Sequence, residues 1–381
     1  MYKNFKINFE EFGIKTKQFN NPTKGFIKEK FEDFKVKELS IKPKEEKEGT
    51  YAYFTLKKTN WTTMDAIGRI AKLCHASWKR FSFAGTKDRS AVTEQLASAK
   101  GISIEALKAV KIKGIELSDF FKSNEPLRLG SLKGNEFEIT VRNYECKNIK
   151  KSLEEFKEFL KKGVLNYFGE QRFGIQRPNN HVIGKLILRQ EYEEALKELL
   201  AKTYEFEGEQ SSKARQYLND NWKDWKGALE NFPKYLTIER MILNHLEKHP
   251  NDYVNSIRKL PRNIAKILVY SYQSYLFNLA LSELYEKGLI NDFELALVGH
   301  ESDLKKMGCA IYEKMLEKEG ITLSDFKVSS YPEMSSKGGM RKAIIYPQNF
   351  KILEIKKDYY TISFEMEKSA YATIILRELI G

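Results

Sequence analysis

Residues 135–174 read NEFEITVRNYECKNIKKSLEEFKEFLKKGVLNYFGEQRFG, and three patterns follow one another in them. Phe137, Ile139 and Val141 alternate with Glu136, Glu138, Thr140 and Arg142, the period-two signature of a half-buried strand. Ile149, Leu153, Phe156 and Leu160 then recur at helical spacing, and Gly163 closes that amphipathic helix. Asn166 to Gly174 has no period at all. It packs aromatic, amide and guanidinium groups side by side. Strand, helix and a polar-aromatic loop in that order point to an α+β fold that carries its site on loops.

Towards the N-terminus the same alternation of elements continues. Tyr51 to Leu56 reads as a strand, and Met64, Ile67, Ile70/Ala71 and Cys74 predict a helix over 63–76 capped by Thr62 or Thr63. A short strand with Phe81 and Phe83 on one face runs into Gly85-Thr-Lys-Asp-Arg89. Ala91 to Ala97 fits either strand or helix. Towards the C-terminus, from about 182 to 330, helical patterns dominate, with a charged segment at 203–235 that carries Trp222 and Trp225. Strands return at Lys342–Tyr346, Lys351–Ile355 and Tyr360–Phe364, and Tyr371 to Glu378 fits a strand or a short helix. Strands at both ends of a chain can share one sheet. The layout therefore predicts an α+β catalytic domain interrupted by a mostly helical one.

The 381 residues include 41% hydrophobic and 13% aromatic side chains, enough to bury real cores. Net charge is +13, which favours a polyanionic partner such as nucleic acid. Cys74, Cys146 and Cys309 are far apart, with no CxxC and no Cys/His cluster, so neither a disulfide framework nor a cysteine zinc site is expected. No run reaches the length of a membrane span, and Met1 to Glu10 lacks the apolar core of a signal sequence. These features predict a cytoplasmic protein without a membrane association.

Asp88 is the first candidate for chemistry. It stands between two cations, Lys87 and Arg89, on a turn that Gly85 opens after a strand. A carboxylate so placed suits a nucleophile or a base; the plain alternative is a turn with a surface ion pair. A phosphate loop needs GxxxxGK[ST], and only one glycine is present. In the loop Asn166 to Gly174, aromatics can stack on an unstacked base while amides read its edge; the plain alternative is a loop bordering the core. His245 and His249 share the spacing of zinc-protease ligands, but Glu247 is out of register and Pro250 follows at once, so a polar helix end is expected and no metal site. No G-x-S-x-G elbow occurs.

These stretches together resemble the TruD family of pseudouridine synthases. Gly85-Thr-Lys-Asp-Arg-Ser-Ala-Val-Thr-Glu-Gln95 is similar to the family's catalytic motif, Asn166–Gly174 to its second motif, and Tyr272-Gln-Ser-Tyr-Leu-Phe-Asn278 to a helix signature of its inserted domain. Lys28 to Phe34 is similar to a fourth element, with Phe31 where a proline is common. Phe364 to Thr373 is similar to the closing strand region. The matches run in the family's order from about residue 25 to the C-terminus.

The resemblance implies a curved mixed sheet in a catalytic domain (1–174 and 339–381) and a helical insertion (175–338), a V shape around RNA. It implies isomerisation of uridine to pseudouridine, at uridine 13 of tRNA, by a monomer that extrudes the base from folded RNA. No cofactor or metal is expected, because the reaction moves a bond within one molecule. Asp88 takes the role of essential carboxylate and nucleophile. Lys28 pairs with it, Phe168 stacks on the target uracil, and Asn166 hydrogen-bonds near Asp88 or the base. Phe34 forms an apolar wall. Lys87, Arg89, Gln171 and Arg172 contact RNA. Two other readings are a non-catalytic RNA-binding protein on the same scaffold and a synthase acting on other RNAs.

Overall fold

The computed structural model describes residues 7–305 and 309–381. The chain forms two compact units. One comprises Gln18–Val164 with Ile345–Gly381, and the other Ile7–Lys17 with Leu165–Ile344.

The first unit is built on a mixed eight-stranded sheet. Its N-terminal strands are β1 (Phe34–Ser40), β2 (Tyr51–Thr59), β3 (Phe81–Phe83), β4 (Val92–Lys100), β5 (Ile115–Ser123) and β6 (Leu132–Arg142). Two late strands, Gln348–Ile355 and Tyr359–Glu367, complete it. The only parallel pair among the described residues of this sheet is β1 with β4. β6 runs antiparallel to β1 on one side and to Tyr359–Glu367 on the other, with Phe137 opposite both Val36 and Phe364.

The alternation read at 137–141 is the one observed: Phe137, Ile139 and Val141 are buried. They meet Leu153, Phe156 and Leu160 of helix Ile149–Lys161 and Ile375, Leu376 and Leu379 of helix Ala372–Ile380 in one core. A second core lies between β2, β4 and the helix α1 (Thr63–Leu73), through Phe54, Leu56, Ala97, Ile67 and Ile70. Thr62 caps α1 by accepting from the Asp65 N–H. The ambiguous run after Ala91 is the strand β4. The run after Tyr371 is a helix buried at every position. β1 was not anticipated, because its lysines and glutamate mask a strict inward alternation of Phe34, Val36 and Glu38.

The second unit is mostly helical. Its longest helix, Arg262–Glu286, is buried along much of its length. A two-stranded ladder pairs Glu294–Leu297 with Gly339–Lys342. The segment 203–235 packs as ordinary core: Trp225 is buried edge-on to Trp222, and Arg215 is buried between Glu207 and Glu239. The unit starts at Leu165 and ends at Ile344, where 175 and 338 were expected, and it takes in Ile7–Lys17. Hydrogen bonds explain this. Asn278 donates to the carbonyls of both Phe12 and Phe168, and Ser282 donates to Gly13.

Candidate active site

Asp88 lies in the loop between β3 and β4, with its side chain about half exposed (45%). The Lys28 ammonium donates to its carboxylate at 2.9 Å and is itself only 9% exposed. The same ammonium sits 4.0 Å from the centre of the Phe34 ring. A cation is thus held between a carboxylate and an aromatic face.

The chain reaches that geometry through an unusual turn. Phe26 pairs with Arg142 through both backbone bonds, and Gly25 at φ +98° lets the chain pass where a β-carbon would lie 2.8 Å from the Arg142 carbonyl. Lys28 then adopts φ +58°, a region few β-carbon-bearing residues visit. Below it, Asp33 is buried and takes the Arg142 guanidinium in a fork, with bonds of 2.7 to 3.0 Å. Arg142 and Asp33 therefore fix the segment that aims Lys28.

The Asp88 loop is pinned from beneath. Gln95 on β4 donates to the Gly85 carbonyl and accepts from Thr63, and Thr63 accepts from the Lys87 N–H. Lys58 on β2 is buried (1% exposed) and donates to the carbonyls of Trp61, Lys87 and Asp88. Burial pulls the Lys58 ammonium down to about 8, a shift that the nearby Asp88 carboxylate opposes. Lys87 points inward. Its ammonium meets the fully buried Glu38 carboxylate at 2.6 Å. The contact with RNA expected for Lys87 is thereby corrected to a place under the loop, because the buried Glu38 would be left unpaired if Lys87 turned out. Arg89 remains exposed and donates to Asn60.

In the helical unit, Asn166 is buried and locked. It accepts from Arg341 at 2.6 Å and donates to the Lys342 carbonyl at 2.9 Å. Phe168 is 4% exposed, with the Arg341 guanidinium 4.0 Å from its ring centre and Arg172 at 5.3 Å. Its backbone N–H and carbonyl are both held by Asn278. Gln171 donates to Glu170. His245 meets Asp252, which caps the next short helix.

Lys58, Glu38, Arg142 and Arg341 were missed as parts of these arrangements. For Lys58 a signal exists: Ala52, Phe54 and Leu56 set the inward parity of β2, and Lys58 is next in it. Arg341 has no comparable signal, since its partners lie far away in sequence.

The model of the family described as tRNA pseudouridine synthase D (TruD) matches residues 13–295 and 291–379. A Methanopyrus kandleri protein named "Probable tRNA pseudouridine synthase D" is 36% identical over 346 residues, covering 87% of this chain and 86% of that protein. A Methanocaldococcus jannaschii protein named "Probable tRNA pseudouridine synthase D 1" is 36% identical over 384 residues, 94% of this chain and 96% of its own. The crystal structure of a Methanosarcina mazei protein described as "Putative tRNA pseudouridine synthase D (TruD)" superposes with a TM-score of 0.77 at 30% identity, covering 97% of each chain.

Proposed function

The chain belongs to the TruD family of tRNA pseudouridine synthases, and from that footing we propose that it isomerises uridine to pseudouridine in tRNA, at uridine 13, with Asp88 as the essential carboxylate. The observation that carries this reading is the 2.9 Å pair of Asp88 with Lys28, set over Phe34 on the loop that bears the family's catalytic motif.

The reaction breaks the bond from the ribose C1′ to uracil N1 and forms one from C1′ to C5. The C5 proton leaves and N1 gains one, so atoms balance with no external reagent. Asp88 is the nucleophile. Lys28 holds its carboxylate in one position, and Phe34 supplies the apolar wall beneath. Three side chains keep the loop rigid from below: Lys87 through Glu38, Lys58 and Gln95. Phe168, its backbone held by Asn278, stacks on the uracil after the base leaves its helix, and Asn166 takes part in hydrogen bonding near the base. Arg89, Gln171 and Arg172 take part in holding RNA. The catalytic domain corresponds to the sheet unit, Gln18–Val164 with Ile345–Gly381, and the insertion, expected at 175–338, to the helical stretch Leu165–Ile344. The enzyme acts as a monomer in the cytoplasm, without cofactor or metal.

The test is pseudouridine mapping on unmodified tRNA transcripts with EDTA present, using wild type and Asp88→Asn side by side. Wild type should introduce pseudouridine at position 13. The variant, which keeps size and loses charge, should show no turnover while its tRNA affinity stays within about threefold. Near-normal turnover by Asp88→Asn would remove Asp88 from its role. Tight binding without pseudouridine from wild type on any tRNA would leave an RNA-binding protein.

A further inference from the structure

Beside the Asp88 loop, on the same unit, a cavity of about 990 Å³ opens along one face of α1. Met64, Gly68 and Lys72 line it at intervals of four, as do Asp65 and Arg69, so one stripe of the helix forms its floor. Trp61 and the exposed Phe31 supply aromatic lining. The indole of Trp61 is fixed at its edge, since Nε1 donates to the Lys113 carbonyl at 3.2 Å.

The charge of this groove is one-sided. Arg69, Lys72, Arg89 and Lys113 line it against the single carboxylate of Asp65. That carboxylate already accepts from the Thr62 hydroxyl. None of the four cations has an ion-pair partner among the described residues, whereas many other surface lysines, such as Lys35, Lys122 and Lys213, do. Four unpaired cations around an aromatic lining match the chemistry of a nucleotide: phosphates for the guanidinium and ammonium groups, a flat base for the ring.

The position matters as much as the chemistry. Arg89 adjoins Asp88 in the chain and donates to Asn60 on the groove wall. Phe31 is three residues from Lys28, the partner of Asp88. What lies in the groove is therefore a near neighbour of whatever meets Asp88.

We propose that this groove is a nucleotide subsite: it takes the nucleotide adjoining the target uridine, its base against Trp61 or Phe31 and its phosphates against Arg69, Lys72 and Lys113. The subsite rests on the uridine-isomerising reading above and deepens it. The RNA is gripped at a second base beside the reacting one.

Gly68 gives a clean probe. A β-carbon there meets nothing within 4 Å, so Gly68→Glu adds a carboxylate to the groove without a clash. In the full chain, Gly68→Glu and the double variant Arg69→Glu/Lys72→Glu should each weaken binding of unmodified tRNA tenfold or more. The double variant should also flatten the slope of log Kd against log salt by about 2. A second experiment pairs base and ring. An abasic residue placed on either side of the target should cost wild type fivefold or more in Kd on one side, and cost Trp61→Ala or Phe31→Ala less than twofold there. Unchanged tRNA affinity in both charge variants, or equal abasic losses with and without the rings, would overturn the subsite. Pseudouridine formation by wild type reads out separately. If it is present while the groove variants bind normally, only the subsite fails. If it is absent while Gly68→Glu still releases tRNA, the groove stands as an RNA site and the enzymatic reading fails.

Discussion

Lys28 holds a backbone conformation that costs a residue with a β-carbon about 1–2 kcal/mol, and its bonds to Asp88 and the Phe34 ring offset that cost. Hydrogen bonds between charged groups contribute about 1.5–3 kcal/mol. Lys28→Met should therefore lower kcat about 10- to 100-fold with little change in tRNA affinity, measured as single-turnover rates at saturating RNA. Full activity in that variant would dissolve the pair. Phe168 raises a different question, because its ring is packed against Arg341 and Phe277. Phe168→Ala should cost about 3–5 kcal/mol of stability and also lower kcat/KM about 5- to 150-fold through lost stacking. Assays well below the variant's melting temperature separate the two effects, and unaltered kcat/KM there would end the stacking role. Asp88 and Lys28 were legible in the sequence because motifs carried them. The inward turn of Lys87 was not, since the sequence gives a charge no direction and its partner Glu38 belongs to a strand that was itself unread.

At the scale of elements, strand parity decides more than composition does. β1 and β2 each carry one charged residue on the inward face, Glu38 and Lys58, and both side chains reach the Asp88 loop, Glu38 through the Lys87 ammonium and Lys58 through the Lys87 and Asp88 carbonyls. Lys58→Met should leave the Lys87 and Asp88 carbonyls without this donor and lower kcat at least tenfold. Its effect on stability depends on pH. The folded lysine titrates near 8, below the 10.5 of a free one. Below pH 8 both states hold the proton, and the folded state carries the full cost of the buried cation. Between pH 8 and 10.5 the unfolded chain binds more protons, so wild type should gain stability relative to Lys58→Met by up to about 3 kcal/mol. Urea unfolding of both proteins at pH 7.5 and pH 10 checks this; parallel behaviour would show that Lys58 is not desolvated. β4 was ambiguous in sequence because it is central, paired with β1, β2 and β3 and buried along most of its length, so its mixed polar and small apolar residues show no inward–outward alternation. The closing helix was ambiguous for the same reason: buried at every position, it shows no polar face.

For the molecule as a whole, the alternation of strand-rich and helix-rich stretches made both units legible, but not their borders. Ile7–Lys17 belongs to the helical unit through Tyr167, Asn278 and Ser282, partners that no local pattern reveals. That unit also carries an acid sensitivity. His181 lies buried among Phe12, Phe173 and Tyr275, and burial holds its imidazole at about 4. Below 6.5 the unfolded chain takes up a proton that the folded one refuses, so stability should fall between pH 6.5 and 4, by up to about 3 kcal/mol. Thermal melts at pH 7.5, 5.5 and 4.5 should show this loss in wild type, and a smaller one in His181→Phe. The sheet topology has a consequence for biosynthesis. β6 gains its neighbour Tyr359–Glu367 only after the ribosome has delivered the whole helical unit, about 10–40 s later at ordinary elongation rates. Through that interval the nascent chain presents the open edge of β6, and an unpaired edge is a template for wrong pairing, so the place of the closing strand in the chain lengthens the exposure of newly made protein to misassembly.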